Sequence, residues 1–140
     1  VSSRRQRQMC IRDRSLHSRK VGNFVFEDSR EATRSMFFNN PPEAVFVAND
    51  HMAFAVMDTL RYELGLKIPD DVSVVGYDDV PAASWPSYSL TTVQQPVNIM
   101  VRETVEILIE KIENPEARPQ KIKVDGPLIL RKSAKIHKGN

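Results

Sequence analysis

Two pairs of polar residues, each placed shortly after an apolar run, are the positions in this sequence best suited to chemistry. Asn49 and Asp50 follow one run, and Asp78 and Asp79 follow another. The two neighbouring carboxylates suggest either a metal site or an acid–base pair. Adjacent side chains on an extended backbone point in opposite directions, however, so Asp78 and Asp79 are not expected to share one ligand.

No catalytic constellation accompanies these carboxylates. The three histidines are scattered along the chain, at His17, His51 and His137, and the five glycines form no phosphate-binding loop. The sequence also lacks zinc-ligand spacing and a nucleophile with a neighbouring base. We therefore expect a protein that is not an enzyme and that uses no metal or cofactor.

Binding chemistry fits the same residues better. A carboxylate accepts hydrogen bonds from two adjacent hydroxyls, and an asparagine amide both donates and accepts. This combination suits a neutral polyol and disfavours an anion, unless arginines from elsewhere in the parent protein compensate its charge. Asp50 is expected to cap a helix and Asp79 to support a loop.

A strand–helix–strand unit over residues 44–79 positions these side chains. The continuous apolar run 44–48 predicts a buried parallel strand, and a helix follows from about residue 50 to 64, with Gly65 ending it. A second strand is predicted over 72–75. A connection of this length implies parallel pairing, which brings Asn49 and Asp78 to the same sheet edge, where ligands bind.

The remaining pattern predicts further short elements. They are an extended entry over 22–26, a helix from 28 to about 38 opened by Asp28 in a capping box, a loop over 80–89, a strand over 90–93, a helix from Asn98 to about 113, and strands over 122–124 and 128–130.

Two features indicate a partner. The helix over 50–64 is apolar around most of its circumference, more than one sheet-facing stripe requires. The loop over 80–89 contains Trp85 and Tyr88, and large aromatic residues in a loop are typical of an interface or of a lid over a pocket.

The charge of the chain is unevenly distributed. Residues 1–20 carry a net charge of +6, so the net +2 of the whole chain leaves −4 on the other 120 residues. The globular part thus lacks the net positive charge that is typical of proteins that bind nucleic acids. The basic tail is interpreted as disordered or non-native sequence, with an arm that contacts phosphate as the alternative.

Composition also indicates the cellular compartment in which the protein is expected. A single cysteine, Cys10, excludes an internal disulfide and fits a reducing environment. The chain shows neither a signal peptide nor an apolar stretch of membrane-spanning length. We expect a cytoplasmic protein without a membrane partner.

Three motifs in order then carry a family resemblance: VANDHMA (47–53), GLKIPDDVSVVGYDD (65–79) and LTTVQQP (90–96). Together they resemble the effector-binding domain of lactose/galactose repressors (LacI/GalR), over roughly residues 22–133. The resemblance implies an α/β fold, the parallel-sheet C-terminal lobe of a periplasmic-binding-protein-like (type I) domain, present incompletely.

The resemblance also implies residue roles. Asn49 and Asp78 would contact the effector, and Phe24 would stack against it, with a core position for Phe24 as the alternative. Repressors of this family dimerise partly through the helix over 50–64. The expected interface consists of Phe54, Met57, Trp85 and Tyr88.

A division of the chain follows. It comprises a disordered or non-native tail (1–20), the C-terminal lobe (21–94), a crossover and helix of the N-terminal lobe (95–118), returning strands (119–133) and a flexible tail (134–140). The implied function is an effector-binding and dimerisation domain of a bacterial transcriptional regulator that recognises a sugar or polyol. The parent is expected to be a homodimer and to contact operator DNA only through a headpiece missing here. The alternative is a sugar-binding receptor of a transport system with the same fold, which would be exported.

Overall fold

The computed structural model describes residues 18–135. Cys10 and most of the basic tail, together with residues 136–140, lie outside the described part. The elements in chain order are α1 (Phe26–Phe37), β1 (Ala44–Phe46), α2 (Asp50–Asp58), a π-helical turn (Thr59–Glu63), β2 (Ser73–Asp78), a 3-10 turn (Pro81–Ser84), β3 (Thr91–Gln94), α3 (Val97–Glu113) and β4 (Leu128–Ile129).

The four strands form one sheet in the order β1-β2-β3-β4. β1 and β2 pair in parallel, as do β2 and β3, whereas β4 runs antiparallel to β3. The predicted parallel strand–helix–strand unit and the α/β class are therefore confirmed. β1 lies at the edge of the sheet, however, and its residues are exposed or half-buried, with Phe46 64% exposed, so the predicted burial of this strand is wrong. Gly65 ends the central helical segment with a φ of +67°, as its position after residue 64 predicts.

The core lies between α2 and the sheet. Ala53, Met57 and Leu60 on the helical side, and Val74 and Leu90 on the sheet side, have no exposed surface. The continuous apolar character of α2 thus serves first to bury the helix inside this chain. Burying larger side chains such as those of Met57 and Leu60 stabilises the fold by roughly 1.5–3 kcal/mol each.

The entry to α1 differs from the prediction. Asn23 and Phe24 have φ values of 50° and 58°, and the turn is closed by a hydrogen bond from the Val25 N–H to the Gly22 carbonyl at 2.9 Å. The helix consequently begins at Phe26 with Val25 as its N-cap, so the predicted extended entry and the Asp28 cap are wrong. Asp28 lies in the first turn and accepts a hydrogen bond from the Asn23 amide at 2.8 Å.

Other boundaries shift modestly. β2 continues through Asp78, because Gly76 leaves room where a Cβ would collide with the buried Asp50 carboxylate. α3 begins at Val97 after Pro96, so Asn98 is not its cap. Residues 122–124 form no strand.

α3 has no buried residue. Its apolar side chains are exposed along its whole length: Val97, Ile99, Met100, Val101, Val105, Leu108, Ile109 and Ile112. An amphipathic helix normally covers its apolar face, so the described part of the chain lacks the surface against which α3 would pack.

Glu63 links α1 to the π-helical turn. Its carboxylate accepts hydrogen bonds from Arg30 at 2.6 Å and from Arg34 at 2.7 Å. These bonds from Arg34 and Arg30 lower the pKa of Glu63. None of the helices between residues 18 and 135 is long and apolar enough to cross a bilayer.

Candidate functional site

Asn49 and Asp78 lie at the carboxyl edge of the sheet. Phe46 of β1 is paired with Val75 of β2, so Asn49 and Asp78 each follow a paired residue by the same interval along parallel strands. Parallel strands deliver such residues to one edge, the usual ligand-binding edge of an open α/β sheet.

Asn49 is the N-cap of α2. Its side-chain oxygen accepts a hydrogen bond from the Met52 N–H at 2.8 Å, which satisfies one of the unpaired donors at the start of the helix. The cap is thus Asn49 and not Asp50. With the oxygen held by this bond, the amide nitrogen of Asn49 is the group able to donate to a ligand.

Asp50 instead connects three elements in the interior. It has no exposed surface, and its carboxylate accepts hydrogen bonds from the Thr92 hydroxyl at 2.6 Å and from the Val80 N–H at 3.0 Å. The sequence does not reveal this role. An aspartate at this position can either cap the helix or point into the interior from its first turn, and the choice depends only on the direction in which the chain enters the helix.

Asp78 and Asp79 form an unusual turn. Their φ values are 123° and 60°, a backbone region that L-residues rarely adopt and that costs on the order of 1–3 kcal/mol per residue. Such conformations cluster at functional sites, where surrounding contacts hold them in place. The contacts here come from β3, from the residue that follows it and from the C-terminal segment.

The two carboxylates have different partners. Asp78 accepts a hydrogen bond from the side-chain amide of Gln95. Asp79 accepts from the Gln94 amide at 2.8 Å and forms an ion pair with Arg131 at 2.7 Å. These contacts agree with the expectation that Asp79 supports the loop. The backbone at Asp78 and Asp79 is not extended, so the expectation that the two carboxylates do not share a ligand loses its stated reason and stays a prediction. Sequence reasoning did not identify Arg131, which reaches Asp79 across 52 residues of chain.

Phe24 lies on the turn that precedes α1, and 76% of it is exposed. Phe24 therefore does not belong to the core that the described residues form. A cavity of about 360 Å³ opens beside it and is lined by Phe24, Phe26, His51, Met52, Phe54 and Tyr88. Neither Asn49 nor Asp78 lines this cavity, so the structure brings Asn49 and Asp78 to one edge but does not enclose Phe24 with them.

The four residues expected at a dimer interface fall into three environments. Trp85 is 57% exposed, whereas Met57 has no exposed surface and belongs to the core, which leaves it no atom for a partner to contact. Phe54 stacks on Tyr88 with ring centroids 4.2 Å apart. Burial and the nearby Asp58 carboxylate raise the pKa of Tyr88.

Within residues 18–135, no group of three or more His, Cys, Asp or Glu side chains is arranged to hold a metal ion. The site is therefore described by hydrogen-bonding groups: a carboxylate, an amide and, farther away, an exposed aromatic ring.

Comparison with known proteins places this arrangement in a family. Residues 6–134 match the periplasmic binding protein-like domain. The chain is 34% identical over 115 residues to the HTH-type transcriptional repressor PurR of Photobacterium profundum, covering 81% of this chain and 34% of that protein. It is 36% identical over 116 residues to the ribose operon repressor of Escherichia coli (strain K12), with the same coverage.

A solved structure agrees with these relatives. The complex of the transcriptional regulator CelR with cellobiose superimposes with a TM-score of 0.74 at 33% identity, covering 81% of this chain and 35% of that one. The chain thus spans about a third of the length of the proteins it matches. The domain match also includes part of the N-terminal segment interpreted as non-native, so the extent of that segment stays a prediction.

The motifs, the mostly parallel sheet and these similarities agree, and the chain belongs to the LacI/GalR family of transcriptional regulators, as part of the periplasmic-binding-protein-like effector-binding domain.

Proposed function

We propose that this chain forms part of the effector-binding and dimerisation domain of a bacterial transcriptional repressor, with a neutral, hydroxyl-rich small molecule as effector. The parent regulator, meaning the complete protein with its second lobe and headpiece, would act in the cytoplasm. The observation that carries the proposal is the placement of Asp78 and Asn49 at the carboxyl edge of neighbouring parallel strands. The relatives named above are repressors and regulators, which favours this function over a transport receptor.

The chemistry of Asp78 supports a polyol. Its carboxylate has capacity for several hydrogen bonds, and the only donor to its side chain within the described residues is Gln95. Arg131, which reaches the neighbouring carboxylate, is already paired with Asp79. A negatively charged effector would therefore meet an uncompensated carboxylate at this edge, whereas sugar hydroxyls would donate to it.

Phe24 supports the same class of ligand. Its exposed ring is large and rigid, and it lies on a backbone conformation that glycine would adopt more easily. Holding a phenylalanine in this strained position suggests a function for the ring. In our proposal it packs against the apolar face of the effector.

The second half of the binding cleft would come from the other lobe of the parent regulator. α3 presents an uncovered apolar face immediately after the crossover at Gln95 and Pro96. We assign residues 95–118 to that lobe and residues 119–133 to the returning segment, which contains β4. Operator DNA would be contacted by the headpiece and not by this domain.

Dimerisation would use the surface around Trp85 and the neighbouring cavity. Phe54 and Tyr88 form part of the cavity wall, and Phe26 at its rim is 47% exposed. A side chain of the second copy entering the cavity would cover the exposed parts of Tyr88 and Phe26, whereas Phe54 is already buried within this chain. Met57 is left out of the proposed interface.

A ligand screen on the parent regulator tests the proposal. Melting temperature is measured with cellobiose, D-ribose, other neutral sugars and, for comparison, sugar phosphates. We expect a neutral sugar to stabilise the protein, and the same concentration of that sugar to stabilise the Asp78→Asn variant much less. Stabilisation by anionic ligands alone would contradict the proposed effector class.

A further inference from the structure

The turn at Asp78 and Asp79 needs contacts that hold it, because both residues adopt positive φ. Released from those contacts, the two residues would relax toward the ordinary extended or helical regions. The direction of the Asp78 carboxylate depends on this backbone. A contact that fixes the backbone of Asp79 therefore also fixes the direction of the Asp78 carboxylate.

Arg131 is placed to do this from the far end of the chain. One guanidinium nitrogen lies 2.7 Å from the Asp79 carboxylate, and another donates to the Leu90 carbonyl at 2.8 Å. The backbone N–H of Arg131 donates to the Thr91 hydroxyl at 2.9 Å. A single residue thus connects the turn after β2 to the first residues of β3.

The ion pair is shielded from solvent. The Arg131 and Asp79 side chains are only 18% and 10% exposed, in contrast to the surface pairs of Arg30 and Arg34. Charge-assisted bonds in such surroundings are stronger than exposed ones, and removing one partner leaves the other charge poorly compensated.

Arg131 itself is rigidly held. The next residues, Lys132 and Ser133, both donate backbone hydrogen bonds to the Ser89 carbonyl. The buried Ser133 hydroxyl donates to the Val74 carbonyl at 2.6 Å and accepts from the Thr91 N–H at 2.8 Å. The segment that presents the guanidinium is therefore fastened to both β2 and β3.

We propose that Arg131 is a positioning residue: by holding Asp79 in its left-handed conformation, it sets the direction of the Asp78 carboxylate at the carboxyl edge of the sheet. The consequence for ligand binding rests on the proposed function of Asp78. The positioning itself does not, and it can be measured without a ligand.

Hydrogen exchange on the 140-residue chain tests the positioning. The Val80 N–H, bonded to Asp50, and the Gln95 N–H, facing the Asp78 carbonyl, report on the turn. In Arg131→Met we expect exchange at these amides to accelerate about tenfold or more, with the core amides of α2 unchanged. Arg34→Met, which removes a more exposed arginine ion pair, is the matched control and should leave the turn amides unaffected.

Two further variants sharpen the test. Arg131→Lys keeps a positive charge but not the fork that reaches both Asp79 and the Leu90 carbonyl, so we expect an intermediate acceleration. Asp79→Asn should accelerate exchange at the same amides, and combining it with Arg131→Met should add little, because both changes act through one contact.

Three results would overturn the proposal: unchanged exchange at the turn in Arg131→Met, an equal acceleration throughout the core, or fully additive effects in the double variant. Calorimetry with cellobiose and D-ribose on the parent regulator separates the two claims. Local loosening of the turn with sugar affinity intact would support the positioning role and overturn the proposed ligand role of Asp78.

Discussion

The side-chain amide of Gln95 donates a hydrogen bond to the carboxylate of Asp78, across 17 residues of sequence. Asp78 ends β2 and Gln95 directly follows β3, so the contact closes the carboxyl edge between two neighbouring strands. A carboxylate has about four acceptor positions, and one amide leaves most of them available. The residue proposed to hold the effector is thereby in contact with the segment that leads to α3.

The buried carboxylate of Asp50 should contribute strongly to stability. We expect Asp50→Ala to lower the free energy of unfolding by about 3 kcal/mol, since the Val80 N–H and the Thr92 hydroxyl would both lose their acceptor in the interior. Urea denaturation measures the change. Asp58→Ala in the same helix, where the carboxylate makes a longer bond to Tyr88 at 3.3 Å, is the control and should cost less than about 1 kcal/mol. Similar losses from both substitutions would count against the role assigned to Asp50.

Glu63 should make the stability of the folded chain depend on pH. Its pKa in the folded chain is lowered from 4.5 by hydrogen bonds from Arg34 and Arg30. A lowered folded pKa gives stability that is present above the unfolded pKa and is lost as the pH falls through the folded value. The Glu63→Gln variant should therefore have a lower melting temperature than the unmodified chain at neutral pH. This difference in melting temperature should become smaller below about pH 4.5.

Salt provides the control for this prediction. The ion pairs of Glu63 with Arg30 and Arg34 are partly exposed, so raising the ionic strength should reduce the difference in melting temperature at neutral pH. A difference in melting temperature that stays constant from neutral to acidic pH would show that Glu63 acts through packing and not through its charge.

The sequence predicted the elements that depend on local pattern. Continuous apolar runs marked β1 and β2, and Gly65 marked the end of the helical segment between them. It also placed Asn49 and Asp78 at one edge, because parallel pairing follows from the length of the connection.

Features set by tertiary contact were not predictable in this way. The left-handed turn at Asn23 and Phe24, which replaces the expected extended entry and the Asp28 cap, is closed by local bonds, but a glycine, an asparagine and a phenylalanine in sequence carry no unique signal for it. Which of Asn49 and Asp50 caps α2 depends on the direction in which the chain enters the helix, and the structure gives the cap to Asn49 and an interior position to Asp50. The contact between Arg131 and Asp79 exists only once β3 and the C-terminal segment are in place.

The uncovered face of α3 predicts self-association of this chain. Sedimentation at about 50 µM should show oligomers or aggregates, since a large exposed apolar patch marks an interaction surface or an aggregation liability. Replacing Val101 and Leu108 together by Glu should shift the chain toward monomer, because both side chains are more than half exposed on that face. Glu106→Gln on the polar side is the control. A clean monomer of the unmodified chain would contradict the prediction.

Residues 21–140 should not bind DNA specifically. They carry a net charge of −4, and the positive charge of the chain lies in residues 1–20. We expect any DNA affinity of the whole chain to fall steeply with salt and to disappear when residues 1–20 are removed. Fluorescence anisotropy with a labelled duplex measures this, and saturable, salt-resistant binding by residues 21–140 would refute it.

The central claim is that Asp78 holds the hydroxyls of a neutral effector. Charge-assisted hydrogen bonds are each worth roughly 1.5–3 kcal/mol, so Asp78→Ala in the parent regulator should weaken sugar binding about tenfold to a hundredfold or more. Asp70→Ala, at an exposed turn outside the proposed site, is the matched control and should leave affinity unchanged. Operator binding should survive both substitutions, since the half-buried Asp78 contributes little packing.

Isothermal titration calorimetry of the parent regulator with the stabilising sugar, comparing the unmodified protein, Asp78→Ala and Asp70→Ala, is the most direct measurement. We predict a loss of at least about tenfold in Asp78→Ala alone. Equal affinity in all three proteins would remove Asp78 from the effector site and contradict the account.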